Sequence, residues 1–453
     1  MLASIARRAP ARAAVRAARA AAAAADSALP RVVLKGGKTK LFTEQLNPVV
    51  YAGAVDRVVG RPPPGVGAPV LVQNGAQETL AWGVFNPDSM YRVRVLETAD
   101  EAAPGAELDP NPARVVAERL AAAVALRRAL GLPAADTTAY RLVNAEGDRL
   151  SGLVVDALGG ALVASSSAAW VEQRRDEVVA ALKAATGAAR VVWRPAAEML
   201  AQEGWAVEAA EAVEAAEAEA VASASAAEDG VAEAGGADEV VVLERGLKFL
   251  VDTTTGQKTG FYADQRESRA FVRSLAPGAR VLDLCCYTGG FAVAAAAGGA
   301  AAALGVDSSA PALALAARNA ALNGVADRAD FERADVAAFM RAAAAEGREW
   351  DLVVLDPPKL APNKKALAAA LRKYASLNAA AMRLVRPGGL LMTCSCSGAV
   401  TQAGSFAPML AAAARRVGRR LTLVRAAGAA PCHALDLAYP EGEYLTNLTV
   451  RVA

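Results

Sequence analysis

Between Val281 and Ser397, short apolar runs alternate with Ala-rich helical stretches, and this alternation constrains the chain more than any other feature. Strand-like runs at 280–284, 302–306, 351–355 and 388–394 are each separated by enough residues for a helix. The pattern predicts a doubly wound α/β domain with a mainly parallel sheet. In such sheets, ligands bind beyond the carboxyl ends of the strands, where the strand order reverses. Those ends carry Asp283-Leu284-Cys285-Cys286-Tyr287-Thr288-Gly289-Gly290, Gly305-Val306-Asp307, Asp356-Pro357-Pro358-Lys359 and Thr393-Cys394-Ser395-Cys396-Ser397.

The Asp283 loop is neither G-x-G-x-x-G nor a Walker loop, which disfavours a dinucleotide or ATP site. Its glycines, Gly289 among them, would let the backbone approach a ligand closely, with helix N–H donors following. Asp307 can accept both hydroxyls of a ribose, and Asp335 is placed to take an adenine amine. Asp283 either holds the loop or reaches an amino group of the ligand. Phe261 or Tyr262 can stack on a cofactor or a base, and Arg266 can bind phosphate.

The prolines after Asp356 make a rigid turn that lacks N–H donors and presents the carboxylate to an entering planar group. Cys394 and Cys396 end the next strand and face the same crevice. A thiolate can add to carbon 6 of cytosine and make carbon 5 enamine-like, able to attack the methyl of S-adenosylmethionine. Asp356 suits the acid or hydrogen-bonding role. Alternation puts both cysteines on one face. Cys396, nearer the open strand end, is favoured as nucleophile, with Cys394 as the alternative.

The five cysteines show no C-x₂-C spacing, so neither a zinc site nor a disulfide framework is expected. The single histidine, His433, argues against His-based triads, and no apolar run suggests a membrane span. Residues 31–100 read as a small all-β module and 101–250 as a small α+β unit. The latter contains an acidic, low-complexity insertion at 196–240, expected away from the substrate face. Residues 251–453 form the α/β domain. Residues 195–243 hold twelve Asp and Glu and no Lys or Arg, whereas residues 1–30 hold five Arg against one Asp. The basic remainder suits a polyanionic partner. The Arg- and Ala-rich residues 1–30 resemble an organelle transit peptide, implying a chloroplast or a mitochondrion.

Taken with Lys258-Thr259-Gly260-Phe261-Tyr262-Ala263-Asp264-Gln265-Arg266 and Tyr439-Pro440-Glu441-Gly442-Glu443-Tyr444-Leu445, these motifs resemble a known family. They are similar to the bacterial large-subunit ribosomal RNA cytosine-5 methyltransferases that carry an N-terminal PUA domain. The resemblance covers roughly 31–195 and 241–453. It implies a PUA module, a central α+β domain and a class I, Rossmann-like methyltransferase domain. It also implies S-adenosylmethionine, a nucleophile within Thr393–Ser397 and ribosomal RNA as partner; the sequence leaves open whether the protein is a monomer or homodimer. The expected cofactor contacts are Phe261, Asp264, Gln265, Arg266, Asp283, Tyr287, Gly289, Asp307, Asp335 and Asp356. The chain departs from the family at Asn47-Pro48-Val49, where His-Pro-Trp is usual, at His433-Ala434 in place of His-Pro, and at Thr446 in place of Lys. Two other readings stay open: methylation of another base or atom without a thiol, and a non-catalytic RNA-binding or ribosome-assembly factor.

Overall fold

The computed structural model describes residues 29–60, 63–101, 108–207, 239–254, 256, 259–361 and 363–453. The Arg-rich residues 1–28 and most of the acidic insertion lie outside these.

The N-terminal sheet contains β1 (Arg31–Leu34), β2 (Val49–Tyr51), β3 (Val55–Val59), β4 (Ala68–Gln73), β5 (Thr79–Phe85) and β6 (Tyr91–Thr98), in the order β2-β6-β5-β4-β1-β3. Alternating Val and Leu build its core through Val32, Val50, Val70, Val72, Val93 and Val95. A second sheet, in the order β10-β9-β8-β7, comprises β7 (Ala139–Asn144), β8 (Leu153–Leu158), β9 (Ala161–Ser166) and β10 (Arg190–Pro195). It packs with helices α1 (Pro112–Ala129) and α2 (Arg175–Thr186) through Val116, Leu120, Val178 and Leu182. Trp82, Val84 and Leu96 of the first sheet enter the same core, so the two units share apolar burial.

The acidic stretch expected to be helical in part at most enters at this junction. The acidic stretch from 196 begins as packed structure: Ala197–Ala201 is a short helix, α3, and Glu203 is buried. Glu203 Oε1 lies 2.5 Å from Arg94 Nη2 of β6 and accepts from Ser89 Oγ at 2.9 Å. Its Oε2 accepts from Ala169 N at 2.9 Å. A carboxylate with a buried guanidinium partner can be interior.

A hairpin of β11 (Glu239–Glu244) and β12 (Leu247–Asp252) leads into the third sheet and straddles the expected border at 250. That sheet has β13 (Arg280–Leu284), β14 (Ala302–Asp307), β15 (Ala329–Arg333), β16 (Trp350–Leu355), β17 (Val385–Ser395), β18 (Leu421–Ala427) and β19 (Thr446–Val452). The order is β15-β14-β13-β16-β17-β19-β18, and only the β17–β19 and β18–β19 pairs are antiparallel. Its principal helices are α4 (Arg266–Leu275), α5 (Gly290–Ala297), α6 (Ala310–Leu322), α7 (Val336–Ala345), α8 (Leu367–Leu384) and α9 (Phe406–Arg416). The strand order reverses between β13 and β16, so the carboxyl ends of these two strands open one crevice.

Candidate active site

One wall of the crevice is the loop from β13 to α5. Asp283 is fully buried; its Oδ2 accepts from Ala292 N at 3.0 Å, and its Oδ1 has no partner. Burial pushes its carboxyl up to about 8, and the neighbouring charges of Asp356 and Asp307 add to the effect. Cys285 and Tyr287 both have positive φ, 62° and 50°, which is costly for residues with a Cβ. Hydrogen bonds hold that conformation: Cys285 N donates to Val306 O at 2.9 Å and Tyr287 N to Asp307 Oδ2 at 2.9 Å. Asp307 Oδ1 accepts from Ser309 N at 3.0 Å, so this carboxylate braces the loop while keeping lone pairs for a ligand. Asp335 is exposed and caps α7, accepting from Ala338 N at 2.7 Å.

Gly289 is also held by a close approach within the protein. Its φ is +78°, and an added Cβ would lie 2.8 Å from the Phe331 ring and 3.0 Å from Ala316 Cβ. The close approach that requires glycine there is to Phe331, beneath the loop.

The other wall is the carboxyl end of β16 and β17. Gln265 Nε2 donates to Asp356 Oδ2 at 3.0 Å and to Cys394 Sγ at 3.4 Å. Asn447 Nδ2 donates to Cys394 Sγ at 3.2 Å and to Ser268 Oγ at 3.0 Å. Cys394 is fully buried, and that burial, reinforced by Asp356, pushes its thiol well above its ordinary value. Cys396 is partly exposed, with Sγ 3.9 Å from Pro357 O. Tyr262 stands between the walls, edge-on to Tyr287 with ring centroids 5.4 Å apart. Burial raises its phenol, and Tyr287, Asp264, Asp356 and Cys396 add to this, so it stays protonated.

The segment before α4 departs from expectation at two residues. Phe261 is buried, 5.5 Å from Phe249 and under the Arg269 guanidinium at 4.9 Å, so it packs the core and Tyr262 is the aromatic at the crevice. Arg266 is also buried; it pairs with Glu267 at 3.1 Å and donates to Cys432 Sγ at 3.6 Å, which removes it from phosphate binding. Asp264 holds the loop before β19: its Oδ2 accepts from Tyr444 Oη at 2.7 Å and its main-chain oxygen from Ala430 N at 2.8 Å. The same loop holds His433, buried beside Cys432 Sγ at 3.5 Å.

Residues 204–430 match the S-adenosylmethionine-dependent methyltransferase family, and residues 32–98 match a PUA-like domain. Over 424 residues the chain is 34% identical to ribosomal RNA large subunit methyltransferase I of Erwinia tasmaniensis, covering 93% of this chain and 99% of that protein. The same enzyme of Photobacterium profundum is 35% identical over 424 residues, with 93% and 99% covered. The chain belongs to the ribosomal RNA large subunit methyltransferase I family. In fold it is similar to the crystal structure of SMU.776 complexed with SAH, with a TM-score of 0.72, 19% identity, and 93% and 99% of the two chains covered.

The relatives are bacterial, which overturns the expected chloroplast or mitochondrial destination. Ala and Arg enrichment is a compositional signal, and in a chain rich in Ala throughout it discriminates poorly.

The cofactor of this methyltransferase is S-adenosylmethionine, and the crevice suits it. Carboxylates lie at or just past the ends of four adjacent strands: Asp283, Asp307, Asp335 and Asp356. That acidic rim, with the unpartnered buried Asp283 Oδ1 at its base, complements a ligand bearing a sulfonium, an ammonium and ribose hydroxyls. Asn447 escaped the sequence reading. It is the register partner of Cys394 across β17–β19, a pairing 53 residues distant in the chain that no local pattern reports.

Proposed function

We propose that the protein methylates carbon 5 of a cytosine in large-subunit ribosomal RNA, with Cys396 as the nucleophile. The observation that carries this reading is the half-open Cys396 thiol at the end of β17, beside the Asp356 turn and Tyr262. The relatives named for the large ribosomal subunit and the PUA-like module support the RNA substrate. When bound, the cofactor supplies an electrophilic methyl group. The target base must leave its stack to reach the crevice, where Tyr262 offers a ring face. Cys396 Sγ adds to carbon 6, and the electron pair of the 5,6 double bond becomes available at carbon 5. Asp356, oriented by Gln265, acts in its protonated form or shares a proton with the base, donating to N3 and so stabilising the ring as negative charge develops. After transfer, loss of the carbon-5 proton to a base restores the double bond and expels the Cys396 thiolate. Cys394 keeps a supporting role, locked against Gln265 and Asn447.

The test is transfer of labelled methyl to unmodified large-subunit ribosomal RNA, with nucleoside analysis of the product. The expected product is 5-methylcytosine, lost in Cys396→Ala. A different methylated nucleoside, formed equally well by Cys396→Ala and Cys394→Ala, would defeat the thiol mechanism.

A further inference from the structure

From Pro357 to Leu435 the chain holds twelve Lys or Arg and neither Asp nor Glu. Five of these cations, Lys359, Lys364, Lys365, Arg372 and Lys373, follow the Asp356 turn and run into the first two turns of α8. All five are exposed, and among the described residues none forms a salt bridge. Some surface cations elsewhere are engaged, as Arg114 is with Glu97, Asp109 and Glu118 and Arg318 with Glu239, whereas others, such as Arg415 and Arg416, are also outside any salt bridge among the described residues but do not line the crevice. In the PUA-like module, Lys40 pairs with Glu44 and Arg57 with Asp56.

The row is anchored to the proposed nucleophile. Ala361 N donates to Ser397 Oγ at 3.1 Å, Tyr374 Oη lies 3.1 Å from the same oxygen, and Cys396 Sγ faces Pro357 O. Lys364 and Lys365 also stand just ahead of α8, whose first turn carries no acid. Cations there oppose the helix dipole, so their placement costs stability unless an anion joins them. The opposite rim carries Asp307, Glu332 and Asp335 beside Arg333. A polyanion entering the crevice is therefore drawn to the α8 side and repelled from the cofactor side.

We propose that Lys359, Lys364, Lys365, Arg372 and Lys373 form the track that holds the RNA backbone flanking the target base. The inference rests on the ribosomal RNA reading above. Backbone contacts of this kind set register and affinity without reading sequence.

The experiment compares binding of an unmodified large-subunit ribosomal RNA fragment by the full chain across a salt series. The variants are the quadruple Lys364→Glu/Lys365→Glu/Arg372→Glu/Lys373→Glu and the milder Lys364→Gln/Lys365→Gln. The control is Arg415→Glu/Arg416→Glu, at the C-terminal end of α9, where the chain turns to begin β18 at the end of the sheet away from Cys396. The quadruple variant is expected to raise the RNA Kd at least about tenfold and to flatten the salt dependence by about 0.7 in log–log slope for each phosphate no longer neutralised. The Gln pair should show a smaller change of the same sign. S-adenosylmethionine affinity should stay at the wild-type value, and the Arg415/Arg416 control should remain within about twofold. Wild-type Kd and salt slope in both track variants would overturn the track and leave the ribosomal RNA reading standing. A wild-type protein that neither binds nor methylates the RNA would overturn both.

Discussion

Cys394 and Cys396 stand two residues apart, yet Cys394 Sγ is sealed by the Gln265 and Asn447 amides at 3.4 and 3.2 Å while Cys396 Sγ opens beside the Pro357 carbonyl. Cys394 is the one cysteine within β17 and is covered by Gln265, just ahead of α4, and by Asn447 of β19; Cys396 lies past the strand end.

Cys396→Ala is expected to lower methyl transfer by roughly a thousandfold or more, with stability within about 0.5 kcal/mol of wild type. Methyl incorporation and denaturant unfolding on the same preparation check both halves.

Cys394→Ala should act the other way round. It takes the sulfur acceptor from two buried amide donors, which costs about 1–3 kcal/mol of stability, while turnover persists at a reduced level. Complete loss of transfer in a folded Cys394→Ala protein would reverse the assignment of the two thiols.

Asp283 makes stability depend on pH. Burial raises its carboxyl from 3.8 to about 8, so between those values the folded chain keeps a proton that the unfolded chain has released. The stabilisation is complete below about pH 4 and is lost as pH rises through about 8. Asp283→Asn cannot ionise, so its stability relative to wild type should improve from about pH 5 to about pH 8, by an amount on the order of a few kcal/mol. Unfolding curves across that window decide it; parallel pH profiles would show that Asp283 does not titrate there.

Gly289→Ala places a Cβ 2.8 Å from Phe331 at a φ of +78°. The expected loss is about 1–3 kcal/mol, with weaker S-adenosylmethionine binding because the loop must shift. Adding Phe331→Leu should recover the packing part and leave the backbone part, which thermal unfolding of the single and double variants resolves.

Glu203→Ala leaves the Arg94 guanidinium without its 2.5 Å partner at the junction of the first two sheets. The expected cost is about 3–5 kcal/mol of stability. Replacing Glu203 and Arg94 together with apolar residues of similar size should cost less than the single change, as a double-mutant cycle would show.

The sequence by itself determined the doubly wound sheet and the placing of Asp283, Asp307 and Asp356 at strand ends, because apolar periodicity and Gly and Pro punctuation act over a few neighbouring residues. It also carried the motifs by which the family is recognised. Composition misled at the Arg-rich start of the chain, and it did not report that the acidic run opens with the buried Glu203. Only the tertiary structure decided that Phe261 and Arg266 turn inward, that Gly289 packs closely on Phe331, that Asn447 reaches Cys394, and that of Cys394 and Cys396 the latter is the partly exposed one. Each of these depends on which distant segments pack together, and burial of that kind is set by packing across the fold rather than by spacing along the chain.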